Sequence, residues 1–129
     1  PFEDGKQLTY PIFELSLKND ELGDPLINEY HAYALDLCTQ EDIRIMFRMT
    51  AKINAILRSF FERRGLILVD FKLEFGRHKN ELMLTDEISP DSCRIWDKKT
   101  RKKLDKDRFR FDMGGMEQAY QEVLDRIGN

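Results

Sequence analysis

Two hydrophobic periods alternate along the chain, and the switches between them mark its elements. Pro11-Ile12-Phe13-Glu14-Leu15-Ser16-Leu17-Lys18 alternates residue by residue. Ile12, Glu14, Ser16 and Lys18 fall on one face and Phe13, Leu15 and Leu17 on the other, which predicts a strand. Asn19-Asp20-Glu21-Leu22-Gly23-Asp24-Pro25 follows as a polar loop rich in turn formers, with Asp24 biased to extended backbone by the proline after it. Residues 28–37 have the pattern of a short, weakly amphipathic helix through Tyr30, Tyr33, Ala34 and Leu37. From Gln40 to Arg64 the period lengthens to that of a long helix, with Ile43, Met46, Phe47, Ile53, Ile56, Leu57, Phe60 and Phe61 forming its apolar stripe. Thr39 offers an N-cap, with Asp42 as an acidic variant of the capping box. Arg63-Arg64 suit the C-terminal end, and Gly65 supplies the stop.

The period then returns to two. Leu66-Ile67-Leu68-Val69 is continuously apolar, as in a strand covered on both faces. From Asp70 to Gly76 the pattern alternates, with Asp70, Lys72 and Glu74 opposite Phe71, Leu73 and Phe75. A turn over 76–80 leads to a second strand over 81–88, so an antiparallel hairpin is the simplest reading. If even numbers pair with even, Asp86 lies across from Lys72, and one patch carries Asp70, Lys72, Glu74 and Asp86. Oxygen ligands beside an amine suit Mg²⁺ on a polyphosphate. Acids and bases are equally ordinary on the wet face of an antiparallel strand. Ser89 to Asp97 reads as irregular, and 116–127 as a closing amphipathic helix. The expected architecture is α+β: one domain over 1–129, an antiparallel sheet with helices packed on one face.

Composition narrows the partners. The chain has 129 residues, 41% hydrophobic and 35% charged, with a formal net charge of -3. That suits one modest domain with no global attraction to nucleic acid or membrane. No apolar run approaches a bilayer span, and no signal peptide is recognised. The chain opens Pro1-Phe2-Glu3-Asp4-Gly5 without an initiator Met, as a fragment or a processed chain would. Cys38 and Cys93 lack a CxxC or a nearby His and read as reduced thiols of a cytoplasmic protein. His31 and His78 suggest neither a zinc site nor a catalytic triad. The acid-rich loop at Asp20–Asp24 is either a cation site or a solvated connection. Residues 98–110 hold eight Lys or Arg, interrupted by Asp105 and Asp107. They make either a solvated face or a phosphate-binding surface.

Five segments in order carry a resemblance. Leu68-Val69-Asp70-Phe71-Lys72-Leu73-Glu74-Phe75-Gly76 resembles the signature of the SAICAR synthetase family. So do Ser16-Leu17-Lys18-Asn19-Asp20 with Asp24-Pro25, Asp86-Glu87-Ile88-Ser89-Pro90-Asp91, Arg94-Ile95-Trp96-Asp97-Lys98, and Asp105-Lys106-Asp107-Arg108-Phe109-Arg110. The likeness covers nearly the whole chain and corresponds to the family's C-terminal half. The Gly-Lys strands that cover the nucleotide, and an Arg…Gly-Ser substrate motif, are not matched.

The resemblance implies the C-terminal portion of an ATP-grasp-like fold. It implies a purine-biosynthesis ligase joining carboxyaminoimidazole ribotide to L-aspartate with ATP, giving ADP and phosphate. Such chemistry needs Mg²⁺ and cations around the transferring phosphoryl group. On that resemblance Lys18 and Lys72 contact the nucleotide phosphates, and Glu74 and Asp86 hold Mg²⁺. Asp24, Asp70, Arg94 and Arg110 position the ribotide, with Asp91, Ser92 and Lys106 near it. Lys72 and Asp70 are the residues closest to catalysis. The implied partners are those substrates and the missing N-terminal half, with a homo-oligomer possible and no membrane or nucleic acid. The competing reading is a non-catalytic nucleotide- or RNA-binding module using 98–110, whose affinity would fall steeply with salt.

Overall fold

Thr39 and Asp42 form the capping box that starts the long helix. The Asp42 amide donates to Thr39 Oγ1 at 3.1 Å, and the Thr39 amide to Asp42 Oδ2 at 2.9 Å. A computed structural model describes residues 3–85, 92–104 and 116–127. The chain divides into two compact units, Pro1–Phe47 and Arg48–Asn129. Helix α2, Gln40–Glu62, contributes its first two turns to the first unit and the rest to the second.

In the first unit the alternating segment pairs over only two residues. Strand β1, Leu15–Ser16, runs antiparallel to β2, Leu26–Ile27. The expected strand over 11–18 is thus shorter in its hydrogen bonding, although its two faces persist: exposure alternates from Ile12 to Lys18, even positions outward. Phe13, on the odd face, stacks on Phe47 with ring centroids 5.0 Å apart. Helix α1, Glu29–Ala34, is shorter than the 28–37 expected. Its cap is local. The His31 amide donates to Asn28 Oδ1 at 3.0 Å, and the Asn28 amide donates to His31 Nδ1 at 3.1 Å.

In the second unit α2 ends as its sequence signals. Gly65 has φ +70, the left-handed conformation a C′ glycine supplies. Strand β3, Leu66–Phe71, follows and pairs antiparallel with β6, Cys93–Asp97, a segment expected to be irregular. Leu68 pairs with Ile95 and Asp70 with Arg94, leaving Val69 as the extra residue of a β-bulge. The bulge explains the change of pattern in the sequence. Before it, the even residues Leu66 and Leu68 share the core face with Ile95. After it, Phe71 takes that face beside Cys93, and Asp70 joins Arg94 on the other. Leu66, Cys93, Ile95, Leu104, Phe61 of α2 and Val123 of helix α3, Met116–Ile127, make the core.

Strand β3 stops at Phe71. Strand β4, Phe75–His78, turns back into β5, Glu81–Leu84, through Lys79 and Asn80, both at positive φ. A hairpin was expected here, but not this register. Gly76 pairs with Met83 and Phe75 with Leu84, odd with even, and the Thr85 amide continues the ladder to the Glu74 carbonyl at 2.8 Å. A one-residue shift changes which face each side chain takes, so the even-with-even pairing that set Asp86 across from Lys72 does not hold. Among the described residues the strands form three two-stranded antiparallel sheets rather than one continuous sheet. Ile56, expected in the helix stripe, is 68% exposed.

Candidate functional site

The polar face of β3 becomes a site where the strand leaves its ladder. The Val69 bulge places Asp70 across from Arg94, and Arg94 Nη1 donates to Asp70 Oδ2 at 2.6 Å. The pair is half exposed, so its ionic contribution to stability is modest, and both groups stay accessible to a ligand. One step on, the Lys72 amide donates to the Ser92 carbonyl at 2.8 Å, extending the same ladder. The Lys72 ammonium then stands 3.3 Å from Glu74 Oε1. Glu74 is the more enclosed of the two, its side chain 18% exposed. The second unit therefore brings Asp70 to Arg94, Lys72 to Glu74, and Ser92 beside Lys72. Alternating charge at a strand end can meet a polyphosphate or a carboxylate substrate: the cations face its oxygens, and a carboxylate is available to a divalent ion.

The first unit holds Lys18 and Asp24. Asp24 has φ +49, an uncommon conformation that short Asp side chains tolerate, and two bonds fix it. Its Oδ1 accepts from the Asn19 amide at 2.8 Å, and its own amide donates to the Asn19 carbonyl at 3.0 Å. Asn19 also caps the 3₁₀ turn Asp20–Leu22. The loop is thus internally braced, with Lys18 exposed at its start. A cleft of about 200 Å³ in this unit is lined by Phe13, Leu15, Leu26, Ile27 and Phe47, with Glu14, Asn28 and Glu29 at its polar side. Neither Lys18 nor Asp24 lines it.

Asp86, Asp91, Lys106 and Arg110 lie outside the described residues. Among the described residues no three His, Cys, Asp or Glu side chains gather as a metal cluster. Mg²⁺ does not require one, because it is held by one or two carboxylates with phosphate oxygens and water. Glu74, already facing a cation, suits that donor role. Of the basic segment, Lys98 lies 3.6 Å from Glu62 and Lys102 4.0 Å from Glu122, so part of its charge is balanced locally.

Arg126 sits in the last turn of α3. It donates through Nη1 to the Gly65 carbonyl at 3.0 Å, and through Nη2 to Asp97 Oδ2 at 2.6 Å and Glu122 Oε1 at 2.5 Å. The Thr100 and Lys99 amides and the Thr100 hydroxyl all donate to Asp97 Oδ1. The Thr100 amide first, then Arg126, hold the Asp97 carboxyl well below the usual carboxylate range. Asp97 in turn raises the Arg126 guanidinium. An Arg in the last turn of the final helix was the available signal, but its partner Asp97 lies 29 residues away in sequence.

Fold and site together define a mixed helix-and-antiparallel-strand protein with an ion-paired strand end as its candidate binding surface. The SAICAR synthetase family model matches residues 1–127, and the chain belongs to that family. A phosphoribosylaminoimidazole-succinocarboxamide synthase of Thermoanaerobacter sp. (strain X514) is 57% identical over 126 residues, 98% of this chain and 54% of that protein. Its namesake in Clostridium botulinum (strain Loch Maree / Type A3) is 55% identical over 124 residues, 96% of this chain and 53% of that protein. A SAICAR synthetase (Type-2) solved in complex with ADP superposes with TM-score 0.92 at 51% identity, over 98% of this chain and 55% of that one. The Pyrococcus horikoshii OT3 SAICAR synthetase gives 0.93 at 50%, over 99% and 56%. The chain spans about half the length of the curated relatives it matches. Among the described residues no helix is long and apolar enough to cross a membrane.

Proposed function

We propose that this chain is the ATP- and substrate-binding C-terminal portion of a phosphoribosylaminoimidazole-succinocarboxamide synthase. In that reading the 129 residues act as one functional piece, completed by the portion of the family polypeptide that they do not contain. The observation that carries it is the pair of ion pairs at the end of β3, Asp70 with Arg94 and Lys72 with Glu74. It gains weight from relatives that bear the enzyme's name over half their length, and from a neighbour solved with ADP.

In the proposed reaction a carboxylate oxygen of carboxyaminoimidazole ribotide attacks the γ-phosphorus of ATP, and ADP leaves. The amine of L-aspartate then attacks the acyl phosphate carbon, loses its proton as the amide bond forms, and phosphate departs. Little covalent work falls to the protein; positioning and charge stabilisation carry the rate. Lys72 and Lys18 are assigned to the nucleotide phosphates. Arg94, oriented by Asp70, and Arg110 would grip phosphate or carboxylate oxygens as two-pronged donors. Asp24 meets the ribotide, and Asp91, Ser92 and Lys106 lie around it. Glu74 and Asp86 would hold Mg²⁺, which when bound neutralises charge on the transferring phosphoryl group. A cytoplasmic enzyme with Cys38 and Cys93 kept as thiols is consistent with this role.

The test uses the joined polypeptide, this chain fused to the unmatched portion of the Thermoanaerobacter relative. Glu74→Gln is expected to lower kcat by about 10²-fold or more and to shift the Mg²⁺ dependence to higher concentration. A variant with unchanged rate and unchanged Mg²⁺ dependence removes Glu74 from the metal.

A further inference from the structure

Lys72, Leu73 and Glu74 connect two sheets, since β3 ends at Phe71 and β4 begins at Phe75. Each end of this connection is pinned by a different neighbour. The Lys72 amide donates to the Ser92 carbonyl at 2.8 Å, and the Glu74 carbonyl accepts from the Thr85 amide at 2.8 Å. Thr85 lies one residue beyond β5, Glu81–Leu84. Glu74 carries the carboxylate that stands 3.3 Å from the Lys72 ammonium. Its backbone is therefore oriented by the rung that Thr85 adds past the end of the hairpin.

Thr85 adds a second bond to the same oxygen. Its hydroxyl donates to the Glu74 carbonyl at 3.2 Å, and a carbonyl has two lone pairs to take both donors. The hydroxyl and methyl share one stiff Cβ, so placing one places the other. The methyl lies over Gly76. A Cβ at that position would stand 3.0 Å from Thr85 Cγ2, inside ordinary carbon–carbon contact at roughly 3.5–4.0 Å. The observed register explains why these residues meet. Gly76 pairs with Met83 and Phe75 with Leu84, so Glu74 falls across from Thr85. Glu74, Gly76 and Thr85 then share one face, with Gly76 diagonal to Thr85. Gly76 has no positive φ, so its use here is space rather than backbone freedom.

We infer that Thr85 is a positioning residue for Glu74: its hydroxyl, given room by Gly76, fixes the backbone from which the Glu74 carboxylate meets a divalent cation. This rests on Glu74 being a Mg²⁺ donor, as proposed, and adds the group that aims it. Thr85 itself is assigned no contact with metal or substrate. Mg²⁺ demands near-ideal octahedral geometry, so a carboxylate on a loosened connection holds it less well although the carboxylate is still there.

Mn²⁺ is the probe, its free concentration read by electron paramagnetic resonance in the joined polypeptide with ADP. Thr85→Val keeps the shape and loses the hydroxyl, and is expected to weaken Mn²⁺ binding about threefold or more. Thr85→Ser keeps the hydroxyl and is expected to stay within about twofold of the unsubstituted polypeptide. Gly76→Ala displaces the methyl and is expected to weaken binding about threefold or more, and adding Thr85→Ser, which removes that methyl, to restore it. Glu74→Gln, expected to weaken binding about tenfold or more, reports on the metal itself. Unchanged Mn²⁺ affinity in Thr85→Val, with Glu74→Gln weakened, overturns the inference alone. That holds even where the urea midpoint of Thr85→Val falls, because a bond that only stabilises the hairpin leaves the folded polypeptide's affinity as it was. A double variant as weak as Gly76→Ala also overturns it. Mn²⁺ binding absent from the unsubstituted polypeptide, or indifferent to Glu74→Gln, removes the metal role of Glu74 and this inference with it.

Discussion

Asp97 is held by several donors among the described residues, and none of these donors is a substrate candidate. It accepts from two amides, one hydroxyl and Arg126, tying the end of β6 to the last turn of α3 and, through Arg126, to the Gly65 carbonyl. Replacing it with Asn keeps the shape but loses the charge that Arg126 faces. Asp97→Asn is expected to destabilise the protein by about 1–3 kcal/mol in urea unfolding at pH 7. The pH dependence has a definite sign. Because the folded carboxyl is held below its unfolded value, its stabilisation is fully present above about pH 4, the ordinary Asp value, and is lost as pH falls toward the folded one. Asp97→Asn should therefore flatten the acid limb of stability below about pH 4, with little change in slope between pH 6 and 8. At the candidate site the contrast is accessibility: Arg94 and Asp70 pair with half-exposed side chains. In the joined polypeptide Arg94→Lys keeps the charge but not the fork, so KM for the ribotide should rise by about tenfold or more, with a smaller change in kcat.

At the scale of elements, the sequence told most where each signal was local. The capping pair Thr39 and Asp42 and the stop at Gly65 fixed α2 within two residues of its observed end, because caps are chemistry between near neighbours. Gly65→Ala should cost about 1–2 kcal/mol through its φ of +70, measured by the same unfolding. Strand partners were harder to read. β6 alternates inward as Cys93, Ile95 and Asp97, and a buried aspartate with a proline and a serine upstream hides that period. The pairing of β3 with β6 bridges more than twenty residues, so no turn chemistry could announce it. The Val69 bulge was written in the sequence as the change from a continuous apolar run to alternation, but it reads equally as burial on both faces. Deleting Val69 would join Leu68 directly to Asp70 and leave Leu68 facing Ile95, Asp70 facing Arg94 and Phe71 facing Cys93 in a regular ladder. Both faces should therefore be kept, and the second unit destabilised by no more than about 1 kcal/mol in urea unfolding.

For the whole molecule, sequence and structure contribute unequal parts of the account. The ordered motifs made the family legible before any coordinate, and residues 1–127 match its model. The candidate site was legible in part: the structure pairs Asp70 with Arg94 and Lys72 with Glu74, whereas the Asp86 pairing rested on a register that the hairpin does not adopt. A register one residue different cannot be seen in a five-residue turn that favours neither phase. The central claim is that these residues serve an ATP-dependent amide-forming ligase. The most direct measurement is product formation by the joined polypeptide, with carboxyaminoimidazole ribotide, L-aspartate and ATP each omitted in turn. The expected result is a succinocarboxamide product, with one ADP and one phosphate per amide, only when all three are present. Amide formation without ATP, or ATP hydrolysis indifferent to both other substrates, would contradict it.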